Sequence, residues 1–350
     1  MVGLGAVPAG IQLFLLYFLP ESPRILIRRG NLDATYDVMA KIYPYVKPYE
    51  VDLKVKVLQA AIQHNLDISN STTFFQRVRS MLLVPSNRRA LIIACGMQAF
   101  QQLSGFNTLM YFSATLFAQM GFDQPTAVGL IVSGTNFIFT LVALKYIDIV
   151  GRRRIMLLSA PGMVFGLTLA SVAFHYLTQR TGGNFEDGAA YPRSWSAVVL
   201  FSMIFYVASY ATGIGNVPWQ QGELFGLEGA FRGIGTSIAT ATNWGANLLI
   251  GSTYLLLMAR ITPSGAFGFY AGLCFLGLVF VVFCFPETAG LSLEEVQMVF
   301  RRSFGIRESD RLRRIKRELK AGGGGNVREQ QGQESETKVG TQHASQGETG

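Results

Sequence analysis

Seven stretches of the chain are apolar for long enough to cross a hydrocarbon core about 30 Å thick, which takes about 20 helical residues. They are 2–19, 90–120, 127–149, 155–178, 196–222, 234–259 and 266–285. The second and fifth are long and interrupted by glycine, which predicts that they tilt or break. Two polar segments stand apart. Residues 20–89 form a connector with helical patterns over 31–43 and 50–65. Residues 287–350 form a tail in which 293–320 reads as one basic amphipathic helix. Beyond the four glycines at 322–325 nearly all large apolar residues are gone, which predicts disorder over 321–350. The pattern thus predicts an all-α membrane protein. It holds a lone span (1–19), a helical connector (20–89), a six-helix bundle (90–286), a basic helix (287–320) and a disordered tail (321–350).

Composition agrees. Only 15% of the residues are charged, against about 25% in soluble domains, and the mean hydropathy is +0.30. Cys95, Cys274 and Cys284 all lie in apolar runs, which excludes a disulfide scaffold and a CxxC zinc site. His64, His175 and His343 are far apart, so no histidine metal or catalytic cluster is expected. No HExxH or nucleophile–base motif is present either. The sequence points to no enzyme, no metal and no cofactor.

The net charge of +8 first suggests nucleic acid, but its distribution argues for topology. Of the 30 Lys and Arg, 27 fall in segments that alternate to one side of the spans: the connector, the 145–154 turn, Arg232 and the tail. Only Arg180, Arg193 and Arg260 fall on the other side. Basic loops stay cytoplasmic, so the connector and C-terminus are expected in the cytoplasm. Basic residues dispersed between spans are no nucleic-acid surface. Met1 opens directly into an apolar run without the charged n-region of a signal peptide, which reads as a chain that has lost upstream sequence.

Six motifs carry the candidate chemistry. Pro20-Glu21-Ser22-Pro23-Arg24 follows the first span, its prolines stopping the helix. Gln101-Gln102-Leu103-Ser104-Gly105-Phe106-Asn107 lies inside an apolar helix, with Tyr111 one turn later. Unpaired amides in hydrocarbon are costly, so these must face a cavity or a partner helix. Asp148-Ile149-Val150-Gly151-Arg152-Arg153-Arg154 is a tight turn between two spans. Gly213 to Glu223 contains Trp219, Gln220 and Gln221, and Arg232 follows. Asn243-Trp244-Gly245-Ala246-Asn247 places two amides on one helix face. Pro286-Glu287-Thr288-Ala289-Gly290 follows the last span.

In this order and at these distances the six motifs resemble the sugar porter family of the major facilitator superfamily, over about residues 1–304. The resemblance is greatest to fungal myo-inositol/proton symporters, through Trp219-Gln220-Gln221, the 239–244 stretch and Leu293-Glu294-Glu295-Val296-Gln297. It implies two six-helix halves, with this chain beginning in the sixth helix and carrying the connector and helices seven to twelve. It implies a multi-pass protein, at the plasma membrane, that moves a polyol or sugar, myo-inositol favoured, by alternating access with proton coupling in the full-length protein. The missing N-terminal half would be needed for transport. Carried over by position, the substrate residues are Gln101, Gln102, Asn107, Tyr111, Asn136, Trp219, Asn243, Trp244 and Asn247. Asp148, Arg152, Arg153, Arg154, Glu223, Arg232 and Glu287 become ion-pair locks at the cytoplasmic helix ends, with Glu223 expected on the 152–154 arginines and Arg232 on a nearby cytoplasmic carboxylate such as Glu287. Amides suit a polyol because they donate and accept without a charge to desolvate.

Plainer readings stand beside these. Buried amides also serve as glue between helices, worth about 0.6 kcal/mol each. Gln220 and Gln221 replace apolar residues of hexose facilitators, and suit either a more hydroxylated ligand or a neighbouring helix. Gly162–Gly166 and Gly268–Gly272 are small-xxx-small spacings, read as packing. The basic tail helix suits a solvated or domain-capping role more than anionic lipid. Two functional alternatives remain: a hexose transporter, and a transporter-like sugar sensor, disfavoured because the tail carries no repeated motif.

Overall fold

The computed structural model describes residue 3 and residues 6–318 except 187, 188, 190, 217–219, 226–228, 292 and 302. The expected tail over 321–350 and Trp219 lie outside the described residues. The chain divides into two compact units, Met1–Arg77 with Leu227–Ala230, and Val78–Gly226 with Phe231–Gly350.

In the first unit, α1 (Ala6–Phe18) is apolar and 13 residues long, shorter than the 2–19 span expected. Next come α2 (Pro23–Arg28), α3 (Leu32–Ile42) and α4 (Pro48–Ser71). Each start has a sequence cause. Pro23 and Pro48 occupy first-turn positions where no N–H is needed. The Asn31 side chain accepts from Ala34 N at 3.1 Å. Met39, Val51 and Val55 form a small core between α3 and α4. Tyr36 and Lys56 both donate to the Asp52 carboxylate, at 2.7 and 2.6 Å. The lysine first, then the tyrosine, holds the Asp52 carboxyl below its ordinary value. That tie is therefore complete above about pH 4 and fades as the pH falls further. Thr73 and Gln76 then cap each other reciprocally at the start of α5 (Phe74–Leu83).

The second unit holds the bundle. Among the described residues, four helices are long and apolar enough to cross a membrane: Pro125–Val150 (α8), Arg152–Leu177 (α9), Arg193–Thr212 (α10) and Phe231–Cys284. The last belongs to α11 (Gly229–Cys284), which is two helices joined at Ile261–Thr262, before Pro263, and so covers two of the expected spans. The expected 90–120 span breaks as its glycine predicted. α6 (Pro85–Leu103) ends and α7 (Phe106–Gln119) begins around Gly105, whose φ is +82°. α6 also starts earlier than the apolar run, because Pro85 opens it, so Arg88 and Arg89 belong to a bundle helix. The expected 196–222 span stops at Thr212. There α10 approaches α9 so closely that a side chain at Gly213 would fall on Ser159, and the backbone turns into a short 3-10 segment, Ile214–Asn216.

The tail differs more. The single basic helix expected over 293–320 is two, α12 (Leu293–Val299) and α13 (306–318). Gly305, at φ +82° and folded against Val299, is the reason. α13 is tied to the bundle: Lys316 pairs with Glu295 and donates to Gly290 O at 3.1 Å. Arg89 donates to the carbonyls of Phe300 and Arg301, both at 2.8 Å, satisfying the end of α12.

α9 and α10 pack along their length. A Cβ at Gly166 would sit 3.0 Å from the Tyr206 backbone N and Cα. At Gly162 it would meet the rotatable Ser209 hydroxyl at 2.5 Å and the Ser209 Cβ at 3.2 Å, but no backbone atom of α10 as near. Gly166→Ala should therefore cost about 1–3 kcal/mol through overpacking, and Gly162→Ala clearly less. Thermal unfolding in detergent reads the difference. Of the second glycine pair, Gly268 faces Ser171 at 3.2 Å but Gly272 faces open space, so that pair is not a packing motif throughout.

Candidate functional site

Two sites take shape in the bundle unit, one of amides and one of charges. The amides come from α6, α7, α11 and the segment after α10. Gln98, Gln101 and Gln102 share a face of α6, being three and four residues apart. Asn243 faces them from α11. Its Nδ2 donates to Gln98 Oε1 at 2.6 Å and to Gln101 Oε1 at 2.8 Å, while its Oδ1 accepts from Gln102 Nε2 at 3.0 Å. Gln102 Oε1 in turn accepts from Asn107 Nδ2 at 2.6 Å and from Asn247 Nδ2 at 3.1 Å. Gln101 Nε2 caps the carbonyl of Gly215 at 3.0 Å, beside the irregular stretch after α10. Gln98 Nε2 reaches Gln221 Oε1 at 2.9 Å, and Gln221 continues to the Thr240 hydroxyl at 3.2 Å.

Burial is graded across this network. Gln98 is 1% exposed and Asn243 8%, while Asn107 and Asn247 are half-buried. The inner amides are fully engaged with one another. The outer two, Asn107 and Asn247, keep carbonyl oxygens without partners among the described residues. The network therefore ends in an edge of acceptors and donors suited to hydroxyl groups.

The break at Gly105 serves this arrangement. Left-handed φ frees the last carbonyls of α6 and turns Asn107 back over Gln102. The freed Ser104 carbonyl accepts from the buried Tyr206 hydroxyl at 2.9 Å. Tyr270 lies flat against Gly105, where a Cβ would stand 2.9 Å from its ring.

Of the residues expected at the site, Gln101, Gln102, Asn107, Asn243 and Asn247 come together. Asn136, half-buried on α8, shares no hydrogen bond with them among the described residues. Tyr111 and Trp244 stand apart, 59% and 64% exposed. Gln221 is glued to Gln98, and Gln220 makes no side-chain hydrogen bond among the described residues. Gln98 was not among the expected residues. Its signal was present: it lies three and four residues before Gln101 and Gln102.

The charged site surrounds the α8–α9 turn. Glu287, 2% exposed, accepts from the backbone N–H of Arg152 at 2.9 Å, Arg154 at 3.4 Å and Ala289 at 3.1 Å. A carboxylate on a helix N-terminus meets its unpaired N–H groups and its dipole. Gly151, at φ +103°, is required here, since a side chain would collide with that carboxylate. The Arg152 guanidinium bridges Asp148 at 2.8 Å and Glu223 at 3.1 Å, as the Glu223 expectation required. Arg153 instead donates to Val282 O at 2.8 Å. Glu287 pairs with Arg313 of α13 at 4.0 Å and not with Arg232, which lies against Gly222. The tail helix supplies the partner of Glu287 that charge patterning did not foresee.

The comparisons with known proteins bear on the family and the fold. The family model described as sugar (and other) transporter matches residues 1–300. Myo-inositol transporter 1 of Cryptococcus neoformans is 55% identical over 90% of this chain and 55% of its own length. Myo-inositol transporter 1 of Saccharomyces cerevisiae is 44% identical over 89% and 53%. The chain thus spans about half the length of these curated relatives. Among solved structures, the major facilitator superfamily proton:xylose symporter XylE bound to 6-bromo-6-deoxy-D-glucose matches with a TM-score of 0.65 and 28% identity, over 84% of this chain and 57% of that one. With matched residues covering most of its length, the chain is a multi-pass membrane protein that belongs to the sugar transporter family.

Proposed function

We propose that the chain supplies the C-terminal part of a transporter for a cyclic polyol, with myo-inositol the favoured substrate, working by alternating access at the plasma membrane. The observation that carries this reading is the amide network that ends at half-exposed Asn107 and Asn247. It places hydroxyl-binding groups, with no charge among them, inside apolar helices beside a helix break. Broken helices at a midplane site are what transporters use to bind and release. The names of the fungal relatives support inositol, and the symporter neighbour supports proton coupling in the whole protein. In this reading Asn136, Tyr111, Trp219 and Trp244 contribute to the same substrate path. Asp148, Arg152, Glu223 and Glu287 lock the cytoplasmic side, with Arg153, Arg154 and Arg232 around them, and the C-terminus is cytoplasmic.

Substrate in this fold sits between two halves, so this chain transports only with a partner half. The test joins it in register to the preceding portion of the Cryptococcus neoformans relative, in yeast unable to import inositol. Labelled myo-inositol uptake should appear, rise as the outside pH falls, and yield to unlabelled myo-inositol before glucose. The 350-residue chain alone should give no uptake above empty vesicles. Stronger competition by glucose would make the protein a hexose transporter. Binding without uptake in the fusion would favour a sensor.

A further inference from the structure

A cavity lies at the end of the bundle remote from the charged site. α9 starts at Arg152 and runs 26 residues, about 39 Å, before reaching this end. The cavity is bounded by the last turns of α7, residues 184–185 before α10, and α11 just ahead of its break. Its volume is about 380 Å³, within the roughly 300–1,000 Å³ of small-molecule sites.

Its walls have a definite chemistry. Phe112 and Tyr254 stack at 5.2 Å with an interplanar angle of 20°. Phe185 closes another side, braced edge-on by Phe174 at 6.0 Å. The polar groups are Thr115, Gln119, Asn184 and Tyr254, and no charged residue lines the space. None of these four side chains has a hydrogen-bond partner among the described residues. Tyr254 is only 3% exposed as a residue, but its hydroxyl is not sealed off, since the sealed unpartnered polar atoms among the described residues are Arg152 Nε and Arg153 Nε. A ligand hydroxyl in the cavity would supply that partner. Tyr254 also walls the small void below Ser104, Gly105 and Thr108, so the cavity floor abuts the α6–α7 break.

We propose that this cavity is a second binding site for a neutral polyol, which loads substrate at the end of the bundle opposite the charged cluster. Aromatic faces take the C–H surface of a ring, while amides and hydroxyls take its oxygens. The absence of charge selects neutral ligands. Asn107 and Gln119 lie at opposite ends of α7, about 18 Å apart by helical rise, too far for one monosaccharide-sized ligand to touch both. The far end of the cavity is therefore out of reach of a ligand held by Asn107, while its inner wall at Phe112 lies only about 7.5 Å of helical rise from Asn107. The choice of ligand class rests on the transport reading above.

Ala259 stands at the cavity rim and carries no polar group, so Ala259→Cys makes a reporter. In the full chain held in nanodiscs, the rate of labelling by a charged methanethiosulfonate reagent is measured with and without myo-inositol, with the chain lacking that cysteine as control. Myo-inositol should slow labelling at least threefold. The protection should survive Gln102→Ala and fall in Gln119→Ala and in Tyr254→Phe, with unfolding temperatures confirming that each variant is folded. Protection lost in Gln102→Ala would mean a signal transmitted from the amide network, overturning the second site while leaving the transport reading intact. No protection by any neutral sugar or polyol, or equal protection by the zwitterion betaine at the same osmolarity, would also overturn it. Protection by glucose and not by myo-inositol would uphold the site and overturn the inositol assignment.

Discussion

Glu287→Ala should sharply reduce the yield of folded protein and lower its unfolding temperature more than any other single change at the charged end. The carboxylate is almost wholly buried and is the partner of three backbone N–H groups. Alanine leaves the first turn of α9 without its acceptor and Arg313 without its carboxylate. Each buried donor left without its acceptor costs about 1–3 kcal/mol, and three backbone N–H groups lose theirs together. Glu287→Gln keeps an acceptor oxygen without the charge, and should fall between alanine and wild type. Arg313→Ala should matter far less, because that pair is long, at 4.0 Å, and loses only its charge term. Thermal unfolding in detergent of all three variants checks the order. Equal losses in Glu287→Ala and Arg313→Ala would show that the ion pair, and not the helix cap, holds this end together.

Asn243→Leu should be the most damaging change in the amide network. One side chain there satisfies Gln98, Gln101 and Gln102. Leucine has similar volume, so the loss is of partners and not of packing. Each stranded buried amide costs about 1–3 kcal/mol, and three are stranded together. Asn247→Leu breaks one bond at the open edge, where water replaces it, and should leave stability close to wild type. Folded yield and unfolding temperature separate the two. A mild Asn243→Leu would mean that the glutamines repair themselves with water and that the network is not dry.

Much of this was legible in the sequence because hydrocarbon is an unforgiving solvent for amides. Gln101, Gln102, Asn107, Asn243 and Asn247 had to find partners, and they found each other. Gly105 signalled the break, and Gly151 with the flanking charges signalled the turn that Arg152 and Glu223 close. The missed residue, Gln98, is alone in its stretch of α6, where one amide reads as glue; only its spacing to Gln101 tied it to the motif. Partner choice was less legible than sidedness. Charge patterning put Arg232 and Glu287 on one face, but it did not show that α13 folds back to bring Arg313 to Glu287. The same fold-back divides the tail at Gly305, a position whose positive φ no hydrophobic pattern records. Tyr111 and Trp244 were placed by likeness alone, and their exposure separates them from the amide network.

The central claim is that the amides at the open edge bind substrate hydroxyls and are not glue between helices. The most direct measurement is myo-inositol affinity in the transport-competent fusion, set beside unfolding temperature, for Asn107→Ala and Asn247→Ala. A lost hydrogen bond to a substrate hydroxyl costs about 1–3 kcal/mol. Apparent affinity should therefore weaken roughly five- to hundredfold in each variant, with expression retained. Unchanged affinity in both variants, together with a lower unfolding temperature, would contradict the account and leave the amides as helix glue.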